Sequence, residues 1–134
     1  MIYFDSDVII NSLVIQDAKK HEESIELIKN SIKNQNFNIS LLSLQEISFV
    51  LSKLNYSNEF IFNNCHFLMK NNPLIPDFKI FQRGMTLAND IGFSNINDCI
   101  HTAIAETYCS ELVTYNKKDF NKIMQYSPIK IRIL

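Results

Sequence analysis

Glycine is nearly absent from this chain: there are two in 134 residues, with three prolines and no tryptophan. Loops that cradle phosphate, such as the P-loop or the dinucleotide-binding turn, need several glycines at fixed spacing, so those nucleotide-binding classes are excluded. Cysteine is sparse and odd in number, at Cys65, Cys99 and Cys109. Without a close-paired motif, these suit small buried thiols in a reducing cytosol better than a disulfide frame or a zinc site. Long apolar runs are missing too, and none approaches the ~20 residues that cross a bilayer. Asp5 and Asp7 stand where a secretory signal needs a basic and then an apolar run, so export is not expected and a cytoplasmic, membrane-free protein is. Neither sign of charge dominates: 13 basic and 14 acidic residues give a net charge of −1. That excludes a general nucleic-acid coat protein but leaves room for an enzyme whose cations line one groove.

What is present is a hydrophobic fraction of 46% spread over 134 residues, enough for one domain (1–134) with one real core. Met1–Phe4 is a short run of β formers ended by Asp5-Ser6-Asp7 and reads as a buried first strand. Val8–Val14 starts a short helix or turn. Ile25, Leu27, Ile28 and Ile32 fall at helical spacing within Ala18–Lys33, and Phe37–Leu42 reads as a second strand. A helix from Ser43 to about Leu54 carries Leu44, Ile47, Val50, Leu51 and Leu54 inward. Another runs from about Tyr56 to Lys70, with Phe60, Ile61, Phe67 and Leu68 inward. Leu74-Ile75 reads as a very short strand. Further helices are expected over Phe78–Ile91, Ile96–Tyr108 and Lys117–Met124, with strands at Glu111–Thr114 and Ile129–Ile133. Strands separated by helices point to an α/β architecture of three layers, α/β/α, around a mainly parallel sheet of four to five strands. Ligands of such sheets sit beyond the carboxyl ends of the strands.

Four acids border those ends or open helices: Asp5, Glu46, Asp98 and Asp119. Each has a purely structural reading. Asp5 ends a strand; Ser43-x-x-Glu46 fits a capping box; Asn95-x-x-Asp98 and Asn116-x-x-Asp119 fit helix starts, where acids are favoured. Their common position suggests instead that they meet in the fold and share a divalent cation.

The motifs around them resemble those of a known family. Ile2-Tyr3-Phe4-Asp5-Ser6-Asp7-Val8-Ile9-Ile10 resembles the first strand of PIN-domain nucleases, and Ser43-Leu44-Gln45-Glu46-Ile47 their glutamate helix. Gly92 to Ala103, around Asp98, is similar to their third acidic motif, and Leu112 to Phe120, around Asp119, to their fourth. The size is most similar to VapC-type toxins of toxin–antitoxin pairs. The resemblance implies a magnesium- or manganese-dependent endoribonuclease acting on RNA. It further implies a homodimer built in part by the middle helices and a cognate antitoxin filling the acidic cleft. It makes Asp5 and Asp98 direct metal ligands, Glu46 a ligand or the residue that positions the attacking water, and Asp119 a ligand directly or through water. Asn116 would be a neutral oxygen helper, and Ser6 a hydrogen-bond partner of the carboxylates. Asp7 stands where asparagine is commoner in the family, and Asn116 where many relatives carry an acid, which implies a more acidic first motif and a second metal that is weak or absent.

Other residues keep plainer readings. His101 shares a helix face with Asp98 and reads first as a core histidine; His21 and His66 have no partners at ligand spacing. Lys53, Arg83, Lys117 and Lys118 are surface cations with phosphate contact as the alternative. Two competing functions remain. Asp5-Ser6-Asp7 after an apolar strand also mimics a haloacid-dehalogenase-like phosphatase, which gives Glu46 no role, and a PIN-like fold can serve as a non-catalytic scaffold.

Overall fold

A computed structural model describes residues 1–134. Four strands, β1 (Ile2–Phe4), β2 (Phe37–Asn38), β3 (Glu111–Thr114) and β4 (Lys130–Ile133), form one sheet in the order β2-β1-β3-β4 with every pair parallel. Seven α-helices flank it: α1 (Ser6–Leu13), α2 (Ala18–Lys33), α3 (Leu41–Lys53), α4 (Asn58–Met69), α5 (Phe78–Ile91), α6 (Ile96–Tyr108) and α7 (Lys117–Ile123). A short 3-10 turn, Phe93–Asn95, joins α5 to α6.

The pleat divides the core in two. Phe4 and Val113 point to one face, where they meet Val8, Ile9, Ile47 and Leu51 from α1 and α3. Tyr3 and Leu112 point to the other, among Ile80, Ile104 and Phe120 from α5, α6 and α7. Adjacent residues of one strand thus serve opposite layers, as a side-chain period of two requires. This is the three-layer α/β/α arrangement expected, with four strands.

Helix ends follow local chemistry. Asp17, Ser57 and Asp77 cap α2, α4 and α5 through their side chains. Gly92 ends α5 at φ 113°, a left-handed conformation that glycine adopts without a side-chain clash. With so little glycine, the chain leaves α2, α3 and α4 through Gln35, Asn55 and Asn72 at φ 55°, 63° and 50°. At the first two ends a backbone amide bonds back to the final turn, Asn36 N–H to Ser31 C=O and Tyr56 N–H to Leu51 C=O, both at 3.1 Å.

Four expectations are corrected. The second strand stops at Asn38 rather than Leu42, because Ser40 begins a helix: Ser40 and Ser43 cap each other reciprocally, and Ser40 adds only a single bridge to Leu74. That reciprocal cap replaces the Ser43–Glu46 box and leaves the Glu46 side chain free of capping. Leu74-Ile75 is reduced to the same bridge. Finally, Ile32, Leu54 and Phe67 point outward, 41%, 38% and 60% exposed, because Ile32 and Phe67 lie off the stripe their helices bury and Leu54 stands past the last residue of α3.

Gly84 lets α5 lie against α6. A Cβ there would stand 2.9 Å from Ile100 Cγ1 and 3.1 Å from its Cα, so the helices would have to part. Helix propensity favours alanine by about 1 kcal/mol, whereas overpacking a core costs about 1–3 kcal/mol. Gly84→Ala is therefore expected to lower the urea midpoint; an unchanged or raised midpoint would show that the α5–α6 contact is loose.

Candidate metal centre

The carboxyl edge of the sheet gathers acids from separate elements. Asp5 follows the last residue of β1 and is 5% exposed. It is the N-cap of α1: its Oδ1 accepts from the Ser6 amide at 2.8 Å, and its Oδ2 from the Thr114 hydroxyl at 2.7 Å. The capping role and the cleft role thus coincide in one side chain. Asp7, in the first turn of α1, reaches the end of β3, where its Oδ2 accepts from the Tyr115 amide at 3.0 Å and the Thr114 hydroxyl at 3.3 Å. Its Oδ1 is buried and has no hydrogen-bond donor.

Glu46 enters from the second turn of α3. Its Oε2 accepts from two donors, Ser6 Oγ at 2.5 Å and His101 Nε2 at 2.8 Å. Asp98 comes from the first turn of α6 and Asp119 from the first turn of α7. The Asn116 side chain lies between them. Its Nδ2 donates to Asp98 Oδ2 at 3.3 Å and Asp119 Oδ2 at 3.0 Å, while its Oδ1 caps α7 by accepting from the Asp119 amide at 3.2 Å. Asn116 therefore turns its amine, rather than the expected oxygen, toward the acids. Asn95 makes no side-chain cap, so the Asn95-x-x-Asp98 spacing is not a capping pair.

Asp5, Asp7, Glu46, Asp98 and Asn116 line one cleft of about 360 Å³, with Phe49 at its side. Asp119 stands behind Asn116 and is absent from that lining. Residues 2–124 match the PIN domain family. The chain belongs to the PIN domain family. No curated protein matches it.

In this PIN domain the acidic edge is chemically suited to a cation. Burial, and then Asp5, raise the Asp7 carboxyl from 3.8 to about 7, against the donors at Tyr115 and Thr114. Burial and the charges of Asp5, Asp119 and Glu46 likewise carry Asp98 to about 7, with His101 opposing. Asp5 is raised by burial against the pull of His101 and Thr114. Glu46 differs: burial pushes it up, but the hydrogen bond and charge of His101, with Ser6, leave it below the ordinary range. Burial opposes charge on His101, yet Tyr3, Glu46 and Asp5 hold it well above its ordinary value. The neutral forms of the crowded acids are thus favoured until a positive charge arrives. Carboxylate oxygens are the donors that hard divalent ions take. Asp5, Glu46 and His101 each offer an atom within 4.8 Å of the others, the spacing at which side chains gather around one ion. The donorless buried oxygen of Asp7 fits such an ion as well.

His101, Asp7 and Thr114 are the site residues that sequence reasoning undervalued. The signal for His101 was its place one turn after Asp98 on the same helix face. The surface cations divide. Arg83 is held by Glu106, at 2.8 and 3.0 Å, and by the Tyr126 carbonyl at 3.0 Å, so it is not a free phosphate contact. Lys117 and Lys118 are exposed. Lys53 lies over the ring of Phe49, a residue of the cleft lining, at 5.3 Å. His21 bonds the Asn11 carbonyl, and His66 stacks on Phe62.

The raised Asp98 value fixes a pH dependence. Its stabilising contribution is complete below the ordinary 3.8 and is lost as pH rises toward about 7, because only the deprotonated form is penalised by burial and then by the charges of Asp5, Asp119 and Glu46. The melting temperature of the metal-free protein should fall between about pH 4 and about pH 7, and fall less in Asp98→Asn. Saturating magnesium should flatten the wild-type curve. Equal slopes in wild type and Asp98→Asn would remove this electrostatic account.

Proposed function

We propose that this PIN domain is a divalent-metal-dependent endoribonuclease, using magnesium or manganese, and the toxin of a toxin–antitoxin pair. One observation carries the reading: Asp5, Glu46 and Asp98 arrive from three different elements to line a single cleft that also holds a buried, donorless oxygen of Asp7. The PIN fold is generally that of a metal-dependent nuclease.

In this reading Asp5 and Asp98 hold the ion, and Asp119 supports it from behind Asn116. Glu46, kept ionised by His101 and Ser6, binds the ion or orients a water for in-line attack on an RNA phosphodiester. Bound there, the ion supplies an acidified water and neutralises charge on phosphate oxygens. Thr114 and the Ser6 and Tyr115 amides hold Asp5 and Asp7 in place, so the ligands do not reorganise when the ion binds. In the same reading Lys53, beside Phe49, meets RNA phosphate. A homodimer and a cytoplasmic site of action belong to the same proposal, as does an antitoxin whose Arg or Lys side chain enters the cleft. No helix is long and apolar enough to cross a membrane.

Asn116 favours a second reading. Its amine sits between Asp98 and Asp119, where a second cation would be expected, so the fold could serve as a silenced scaffold. Incubation of purified protein with structured RNA separates the two. The nuclease reading expects cuts with magnesium or manganese, none with EDTA, and none in Asp98→Ala; absence of cuts across several RNA types in both metals favours the scaffold. Asp5→Asn should abolish cleavage and leave the melting temperature unchanged or higher, since it removes a repelled charge. A large drop in melting temperature would make Asp5 a structural residue instead.

A further inference from the structure

Beneath the acidic cleft lies a buried polar chain that crosses three elements. His101, on α6, is fully buried, and both of its ring nitrogens are engaged. Nε2 donates to Glu46 Oε2 at 2.8 Å, and Nδ1 meets the Tyr3 hydroxyl at 2.6 Å. Tyr3, on β1, is also fully buried, and its hydroxyl continues to Ser40 Oγ at 2.7 Å and Ser43 Oγ at 3.2 Å. Ser40 is the N-cap of α3, the helix that carries Glu46. The chain therefore begins at the start of α3, passes through the sheet and α6, and returns to α3 at its glutamate.

Two simpler roles fit less well. As a metal ligand, His101 would have to present a bare nitrogen, but Nε2 carries the proton given to Glu46 and Nδ1 is taken by Tyr3. As core filling, a fully buried imidazole is a poor choice, because a leucine would occupy similar space with no polar group to satisfy. The placement makes sense if the bond to Glu46 matters. Glu46 stands close to Asp5, whose charge would drive its carboxylate away. Two donors on one oxygen, Ser6 Oγ and His101 Nε2, keep it there and leave Oε1 outside the clamp.

The geometry points to His101 as a positioning residue that, backed by Tyr3, clamps one oxygen of Glu46 so that the other is presented to the metal. This rests on the metal-dependent reading above. Donors that orient ligands in this way typically contribute about 10–100-fold to metal affinity or activity.

The test compares His101→Leu, which removes the donor, with His101→Gln, whose side-chain amide restores one near the Nε2 position. Affinity for manganese is measured by calorimetry on the full chain, alongside kcat and KM on RNA and the melting temperature. His101→Leu should weaken manganese binding by about tenfold or more and lower kcat to match, with KM little changed, while His101→Gln stays within about threefold of wild type. Wild-type manganese affinity in a folded His101→Leu overturns the proposal, as does a His101→Gln as impaired as the leucine variant. If His101→Leu does not fold, Tyr3→Phe keeps the ring packing and should weaken manganese binding severalfold; unchanged affinity there overturns it equally. Asp5→Asn separates this from the reading beneath it. If that variant binds manganese as well as wild type, the metal centre itself is wrong; if it loses binding while His101→Leu keeps it, only the role of His101 fails.

Discussion

Crowding of like charge is the constraint on which this structure turns. Carboxylates at the end of a parallel sheet, partly withdrawn from water, repel one another and resist ionisation. The fold holds them anyway by giving each a fixed donor. Asp5 has the Ser6 amide and Thr114, Asp7 has the Tyr115 amide, Glu46 has Ser6 and His101, and Asp98 shares the Asn116 amine with Asp119. Several of these donors are backbone amides or short side chains at the first turn of a helix, where amides are unpaired in any case and the helix dipole favours a negative charge. Asp5, Asp7 and Asp98 are therefore tethered in place while their affinity for protons is raised, and a cation arriving there displaces those protons.

The remainder of the molecule keeps those tethers in register. β1 is interior to the sheet, between β2 and β3, so Asp5 at its end is fixed from both sides. β3 delivers Thr114 beside it, in the same parallel register that pairs Phe4 with Val113. On one face α3 brings Glu46; on the other α6 brings Asp98 and His101, drawn in by the close approach of α5 at Gly84. Apolar packing sets the positions of these elements, and the polar contacts at the edge depend on that packing being tight.

Much of this could be read from the sequence, for a physical reason. Hydrophobic periodicity and caps are local, so Ala18–Lys33, Phe78–Ile91 and Ile96–Tyr108 stand where the pattern put them. The acids could be singled out because each borders an apolar element. What could not be read was which hydrogen bond each polar side chain makes. Ser43-x-x-Glu46 and Ser40-x-x-Ser43 are both plausible caps, and only the tertiary position of Tyr3 and His101 favours the second, which frees Glu46. A buried histidine with two polar partners looks the same in sequence as one packed in a core. Arg83 likewise gave no sign that Glu106, on another helix, would claim it. Thr114 and Asp7 acquire their roles only when β3 and α1 meet.

The left-handed exits at Gln35, Asn55 and Asn72 have a mechanical consequence. Glycine at such corners would lower the local strain but would let the unfolded chain wander and the folded corner flex. Side chains there accept a little strain for a stiffer bend. The helix bearing Glu46 is entered through a reciprocal serine cap and left through Asn55, with no glycine at either end. Its glutamate therefore rides on a strut rather than a hinge.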